Sequence, residues 1–297
     1  MALGCNCNAG LSNTGKPGCL PIQSVTSGLI MVPLTANDGS LNFIDLTATL
    51  PTWADLINEA DPSKRWFPLQ GFENVELPKA DTIFEEANSG RMVYIRQGKR
   101  SFAGELWGET PTFYGKLNTN RCVQFGVYIV DVNGNLIGSK VGDALYPIPV
   151  DNQSFNPTYM FATDTTTSKV MVAFDFERLF DEGTMYMITP TEAGQNFNDL
   201  NGLLDVNFTD NTLTANDLTS ELVLDYGTAL NPIQFTGAVA ADFEFTVNGV
   251  VTALGGVTEL SPSVYEFDFT GLVTTGDDCV ISIDKDGYDG SYSFVGI

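Results

Sequence analysis

Apolar and polar residues alternate with a period of two along most of the chain, and that period marks half-buried strands rather than helices. Residues 100–107 show it plainly, with Phe102, Gly104 and Leu106 set against Ser101, Ala103 and Glu105. The same reading predicts strands at 28–33, 41–50, 91–96, 159–163, 169–176 and 185–189. Residues 125–132 form a longer β-branched apolar run, followed by Asn133-Gly134, a dipeptide suited to a tight hairpin, and a returning strand over 135–139. A turn at Gln97-Gly98-Lys99 is expected to join 91–96 to 100–107 as a hairpin. Helical spacing is confined to short stretches. Trp53, Leu56, Ile57 and Ala60 follow the i, i+3, i+4, i+7 pattern after Pro51-Thr52, and Thr110-Pro111 opens a second helix to about Asn118. A further helical turn is expected over 177–181. The fold class predicted is therefore mainly β, an antiparallel sandwich or barrel with one or two short helices.

The pattern breaks in three places, and these breaks set the expected organisation. Residues 1–28 are rich in Gly, Asn, Ser and Pro without a period and read as an irregular N-terminal arm. Residues 29–225 read as one β domain. Within it, 61–90 has no clean period: Pro62, Pro68 and Pro78 punctuate Trp66, Phe67 and Phe72. That is long for a plain connection, and it suggests an extended arm packing against something outside the domain. From 226 to 297 short crisp strands return, carried by Phe243, Phe245 and Val247, by Tyr265, Phe267 and Phe269, and by Cys279, Ile281 and Ile283. Gly/Asp/Ser turns separate them, as in a small immunoglobulin-like (Ig-like) β-sandwich.

Composition narrows the chemistry. The 297 residues are 43% hydrophobic and 11% aromatic, enough for sizeable cores. There is no His, which excludes Ser-His-Asp and Cys-His nucleophiles, imidazole acid–base work and His-ligated zinc or haem. With 14 Lys and Arg against 37 Asp and Glu the net charge is −23, although only 17% of residues are charged. The acidity reflects a shortage of bases and opposes affinity for nucleic-acid phosphates. Charge is also segregated. Residues 179–297 hold Lys285 alone against 19 acids, a net −18, whereas 1–178 carry 13 bases and 18 acids. The bases Arg91, Arg96, Lys99 and Arg100 span one expected hairpin. They are placed either to meet the acidic surface of a neighbouring copy or to pair with Glu85, Glu86, Glu105 and Glu109.

No candidate site stands out in the sequence. Cys5, Cys7 and Cys19 crowd the N-terminus at spacings unsuited to a structural zinc site and read as free thiols in an extended arm, while Cys122 and Cys279 read as small core residues. Leu3-Gly4-Cys5 is like a lipoprotein cleavage site but lacks the basic start and apolar core of a leader. No run approaches the ~20 apolar residues of a spanning helix, so no membrane insertion is expected. Asp284-Lys285-Asp286-Gly287-Tyr288-Asp289 has alternate Asp residues like a calcium loop, yet Tyr288 and Asp289 occupy positions that spoil it, and a turn between strands is expected. Asp131-Val132-Asn133-Gly134-Asn135 likewise reads as a hairpin turn. Trp53, Trp66 and Trp107 are expected in cores or interfaces rather than as a sugar platform. No catalytic, cofactor-binding or metal residue is assigned, and no cofactor or enzymatic activity is expected.

Residues 93–106 (Val-Tyr-Ile-Arg-Gln-Gly-Lys-Arg-Ser-Phe-Ala-Gly-Glu-Leu), the helix near 111–118 and the strand Phe125-Gly126-Val127-Tyr128-Ile129-Val130-Asp131 follow one another in an order that resembles virion proteins of tailed bacteriophages. The resemblance is to tail tube proteins and to ring proteins of crAss-like phages. It covers about residues 90–190, and a C-terminal Ig-like domain is a common addition in such proteins. The resemblance implies a tail-tube-like β domain and a homo-oligomeric ring or tube. Adjacent sheets would join around a lumen through which DNA passes without specific binding, with an arm near 61–90 reaching the next ring. It also implies other tail or connector proteins as partners, and a place in the virion after assembly in the bacterial host cytoplasm. The Cys-rich start and the 61–90 section depart from the pattern and leave tube, ring and connector roles open. Two other classes remain: a carbohydrate-binding fibre or adhesin module, and a carboxylate-dependent glycan hydrolase.

Overall fold

The computed structural model describes Gly15, residues 20–48, Leu50, residues 52–228 and residues 230–297; Cys5, Cys7 and Cys19, expected as free thiols, lie outside the described residues. The chain is mainly β, as its alternation predicts, and its strands make two sandwiches.

The first sandwich packs an eight-stranded sheet on a four-stranded one. In the large sheet the order runs Ile44–Asp45, Ala144–Tyr146, Leu136–Val141, Phe125–Asp131, Thr26–Pro33, Phe67–Gln70, with Ile148–Pro149 and Met185–Ile188 attached to its middle strands. The small sheet runs Asn156–Met160, Lys169–Asp175, Ser101–Trp107, Phe72–Glu76. Every pairing in both is antiparallel. Between them lies a core that includes Leu29, Phe72, Phe102, Leu106, Ile129 and Phe174, and the inward side of Ser101–Trp107 is the predicted Phe102, Gly104 and Leu106. Gly104 is required there, because a side chain would enter the ring of Phe72 at 2.7 Å.

Phe125–Asp131 is buried at every residue, unlike a half-buried strand. A second core explains this: the outer face of the large sheet is covered by the helix Trp53–Ile57 and the segment through Phe197 and Leu200. Trp53, Trp66 and Tyr128 pack there as tilted rings with centroids 5.6 and 5.0 Å apart. Burial on both faces is what makes a strand read as a continuous apolar run. The second helix is Pro111–Thr119, with the Thr110 hydroxyl accepting from the Phe113 N–H at its start.

Several expectations shift. The strand predicted over 41–50 shrinks to Ile44–Asp45, because Asp45 instead folds its carboxylate over the Thr47 and Ala48 amides. The first helix ends at Ile57 rather than residue 60. The helical turn expected at 177–181 is a single turn closed by the Phe180 N–H on the Glu177 carbonyl (3.0 Å), and a separate 3-10 turn follows at Glu182–Thr184. Residues 26–28 lie in the first strand and not in the N-terminal arm. Cys279 is a core residue, but Cys122 is exposed at φ 70° in the turn after the second helix.

The second sandwich begins at Leu204, not at 226. A boundary at 225/226 would cut the strand Asp217–Thr228, which pairs with Leu204–Leu213, Val264–Asp268 and Asn231–Gln234. Gly256–Ser261 and Tyr288–Asp289 complete that sheet, the latter in the one parallel pairing described. The facing sheet runs Val250–Val251, Phe243–Val247, Asp278–Ile283, Ser291–Val295. The core between them is largely aromatic, with Phe243, Phe245, Tyr265, Phe267, Phe269 and Phe294 all buried.

Candidate assembly interface

The section expected to be an arm over 61–90 divides in two. Its first half belongs to the body, since Trp66, Leu69 and Phe72 are buried in the two cores. The arm itself is residues 83–96: Ile83–Glu86 pairs with Met92–Arg96, and that two-stranded sheet pairs with nothing else described. The chain reverses at residues 87–91, where Ala87 and Gly90 amides donate to the carbonyls of Arg91 and Ala87 and Gly90 takes φ 75°. This corrects the expected hairpin of 91–96 with 100–107. Residues 97–99 do not reverse the chain; they carry it straight from the arm into Ser101–Trp107, whose partners are Lys169–Asp175 and Phe72–Glu76.

The arm is an overhang of the small sheet. The ladder continues past Glu76 and Ala103 through Ser101 N–H to Pro78 O (3.0 Å), the Lys79/Arg100 bridge and Ala80 N–H to Lys99 O (2.8 Å). At Gly98 the two legs are so close that a side chain would stand 1.6 Å from the Ala80 carbonyl oxygen. Beyond this root no second layer covers either face among the described residues. Phe84 and Tyr94 sit opposite each other with centroids 6.0 Å apart, and Val93 shares the other face with Glu85. Ile83, Phe84, Met92, Val93, Tyr94 and Ile95 are each 40–57% exposed. An isolated two-stranded hairpin is marginal in water, and a contiguous apolar surface of this kind marks an interaction site.

Charge at the arm differs from the expected pairing. Lys99 reaches Asp175, Arg100 reaches Glu182, and Glu105 is taken by Lys169 at 2.5 Å. Among the described residues Arg91 and Arg96 have no carboxylate within 4.0 Å. Residues 79–100 carry five bases and three acids, a net +2 in a chain of −23. The surplus sits at the root, where Lys79, Lys99 and Arg100 are paired with Glu182 and Asp175; the arm itself carries Arg91 and Arg96 against Glu85 and Glu86 and is neutral.

The two sandwiches meet through polar contacts that sequence reasoning missed. Arg65, almost fully buried, donates its Nε to Glu59 O and its Nη1 to Asp289 at 2.5 Å. Asn58 donates to Asp286 and accepts from the Gly287 N–H. The calcium-like Asp loop is therefore a turn, as expected, and it serves as a joint; no group of three or more potential metal ligands stands together among the described residues. Lys116 bridges Asp205 and Asp225 (2.8 Å to the latter) beneath the Tyr226 ring. Burial pulls the Lys116 pKa down, but hydrogen bonds to the two carboxylates more than offset it and leave it raised. These residues rim a cleft of about 670 Å³ floored by Trp66, Leu69, Phe113 and Leu203. Lys116 and Arg65, the cations lining the cleft among the described residues, are both already paired with carboxylates.

Trp53 and Trp66 are buried together, while Trp107 is exposed at the end of the small sheet with its Nε1 donating to Glu105, so the three form no common platform. Burial raises the Glu109 carboxyl above its usual range at the edge of a smaller cleft beside Leu106 and Phe113. Asp131, fully buried, accepts from the amides of Ser24, Asn133 and Asn135 and from Asn135 Nδ2, and so knots the predicted hairpin turn. No helix among the described residues is long and apolar enough to cross a membrane. No protein-family model matches the chain, and no curated protein matches it either.

Proposed function

We propose that this chain is a structural component of a bacteriophage virion, self-assembling with copies of itself into a ring or tube of the tail that serves as a conduit for DNA. The observation that carries the reading is the arm: a two-stranded hairpin apolar on both faces, with both edges unpaired among the described residues. Such edges and faces gain from being completed by another chain. A head-to-tail contact repeated by identical copies closes into a ring when its rotation permits. The small sheet that bears the arm is the element expected to lie beside its counterpart in the next copy. A net charge of −23 suits a wall past which phosphate-rich DNA slides without sticking. The second sandwich, read as Ig-like, would decorate the outside, and other tail or connector proteins would meet the ends. This assignment also rests on the resemblance of residues 90–190 to tail tube and ring proteins.

Light scattering coupled to size-exclusion chromatography on the purified full chain tests it. The expected result is a discrete species of several copies with no enzymatic or cofactor requirement. A strictly monomeric chain at every concentration reached would overturn the reading.

A further inference from the structure

The arm leaves the body through a built root. Its outgoing leg presents Lys79 and its returning leg Arg100, and these two are cross-strand neighbours. Both reach one carboxylate: Lys79 Nζ lies 2.7 Å from Glu182 Oε2, and Arg100 Nε lies 2.9 Å from Glu182 Oε1. Arg100 also donates Nη1 to the Leu77 carbonyl. Glu182 is not part of the small sheet. It stands on the turn Glu182–Thr184, where the Asp181 side chain accepts from Gly183 N–H, and it leads directly into Met185–Ile188 of the large sheet. Thr184 is tied to Ser139 of that sheet at 2.7 Å. The carboxylate is only 18% exposed, and its two cations 33% and 27%. A single anion anchored to one sheet therefore grips both legs of a hairpin that belongs to the other.

We propose that Glu182 is the positioning residue of the arm: it fixes the direction in which residues 83–96 leave the body, so that the arm meets a neighbouring copy already oriented. The inference rests on the self-assembly reading above. Without the carboxylate, Lys79 and Arg100 face each other across the root as like charges, and directly opposed like charges push strands apart. Gly98 removes any side chain that would wedge the legs, so the clamp acts on legs already tied by the backbone ladder and the Lys99–Asp175 pair. An arm that samples several directions binds in proportion to the fraction of time it spends in the competent one.

The experiment compares wild type, Glu182→Gln and a chain lacking residues 82–97, by amide hydrogen exchange on dilute protein and by sedimentation velocity at rising concentration. Glu182→Gln is expected to speed exchange at Ala80 and Ser101, whose N–H groups bridge the legs, and to leave Phe125–Asp131 unchanged. It should also weaken assembly by about tenfold at an unaltered unfolding midpoint. Unchanged exchange at Ala80 and Ser101 overturns the clamp. Faster exchange with wild-type assembly overturns its positioning role. Should the arm-deleted chain assemble like wild type, the arm reading itself fails, an outcome separate from either result with Glu182→Gln.

Discussion

Replacing Phe84, Met92 and Tyr94 together by Ser removes the large apolar side chains from one face of the arm. Each is about half exposed, at 49%, 57% and 43%. Full burial of such a side chain is worth roughly 1.5–3 kcal/mol, so the half still open to water holds about 1 kcal/mol each for a docking partner. Losing three amounts to about 3 kcal/mol per contact, or a hundredfold in the dissociation constant. The body should not notice, because none of the three cores includes these residues. Sedimentation equilibrium gives the dissociation constant and thermal unfolding the control. The expected pattern is a weakening near a hundredfold with an unfolding free energy within about 0.5 kcal/mol of wild type. An unchanged dissociation constant would refute the docking role. A large drop in stability would show that the arm packs on its own body.

Other expectations are independent of assembly. Asp131→Ala strands the buried Asn135 backbone and side-chain amides and removes the acceptor of the less buried Ser24 and Asn133 amides, and should cost about 2–3 kcal/mol by chemical denaturation, whereas an effect below about 1 kcal/mol would contradict the knot. Arg65→Met should keep the packing but lose the Asp289 pair, and increased proteolysis around residues 201–204 without loss of either core's near-ultraviolet signal would report a loosened joint. Glu105 is held down to about 2 by Lys169 first, then Asn74 and Trp107. Its folded pKa lies below the unfolded one, so its contribution is present above the ordinary carboxylate range and lost as pH falls from about 4.5 toward 2. Glu105→Gln should flatten the stability profile in that window by about 1 kcal/mol or less, since solvent screens the pair; an identical profile in wild type and variant would count against it.

What the chain discloses before folding depends on how local the cause is. Phe102, Gly104 and Leu106 alternate because one face of their strand is wet, and Asn133-Gly134 turns the chain by its own backbone preference, so both were legible. The strand pair Leu204–Leu213 and Asp217–Thr228 was not, because Asn207, Thr209, Asp210, Asn211 and Thr212 give one strand a polar surface that reads as loop. The arm was half legible. Its apolar residues occupy both faces, which erases alternation, and the reversal near Asn88-Ser89-Gly90 is weaker than the Gly98 that draws the eye. Gly98 instead serves close approach of the legs. The clamp and the joint were invisible, since Glu182 lies 103 residues from Lys79 and Asp289 lies 224 from Arg65. Ion pairs across such spans leave no periodic trace.

On the proposed reading, identical copies join through this arm into a closed annulus. Electron microscopy of the purified full chain in negative stain, averaged in two dimensions, tests it most directly. Rings or stacked rings around an open lumen, absent when residues 82–97 are removed, are the predicted result; compact single two-lobed particles in both preparations would contradict it.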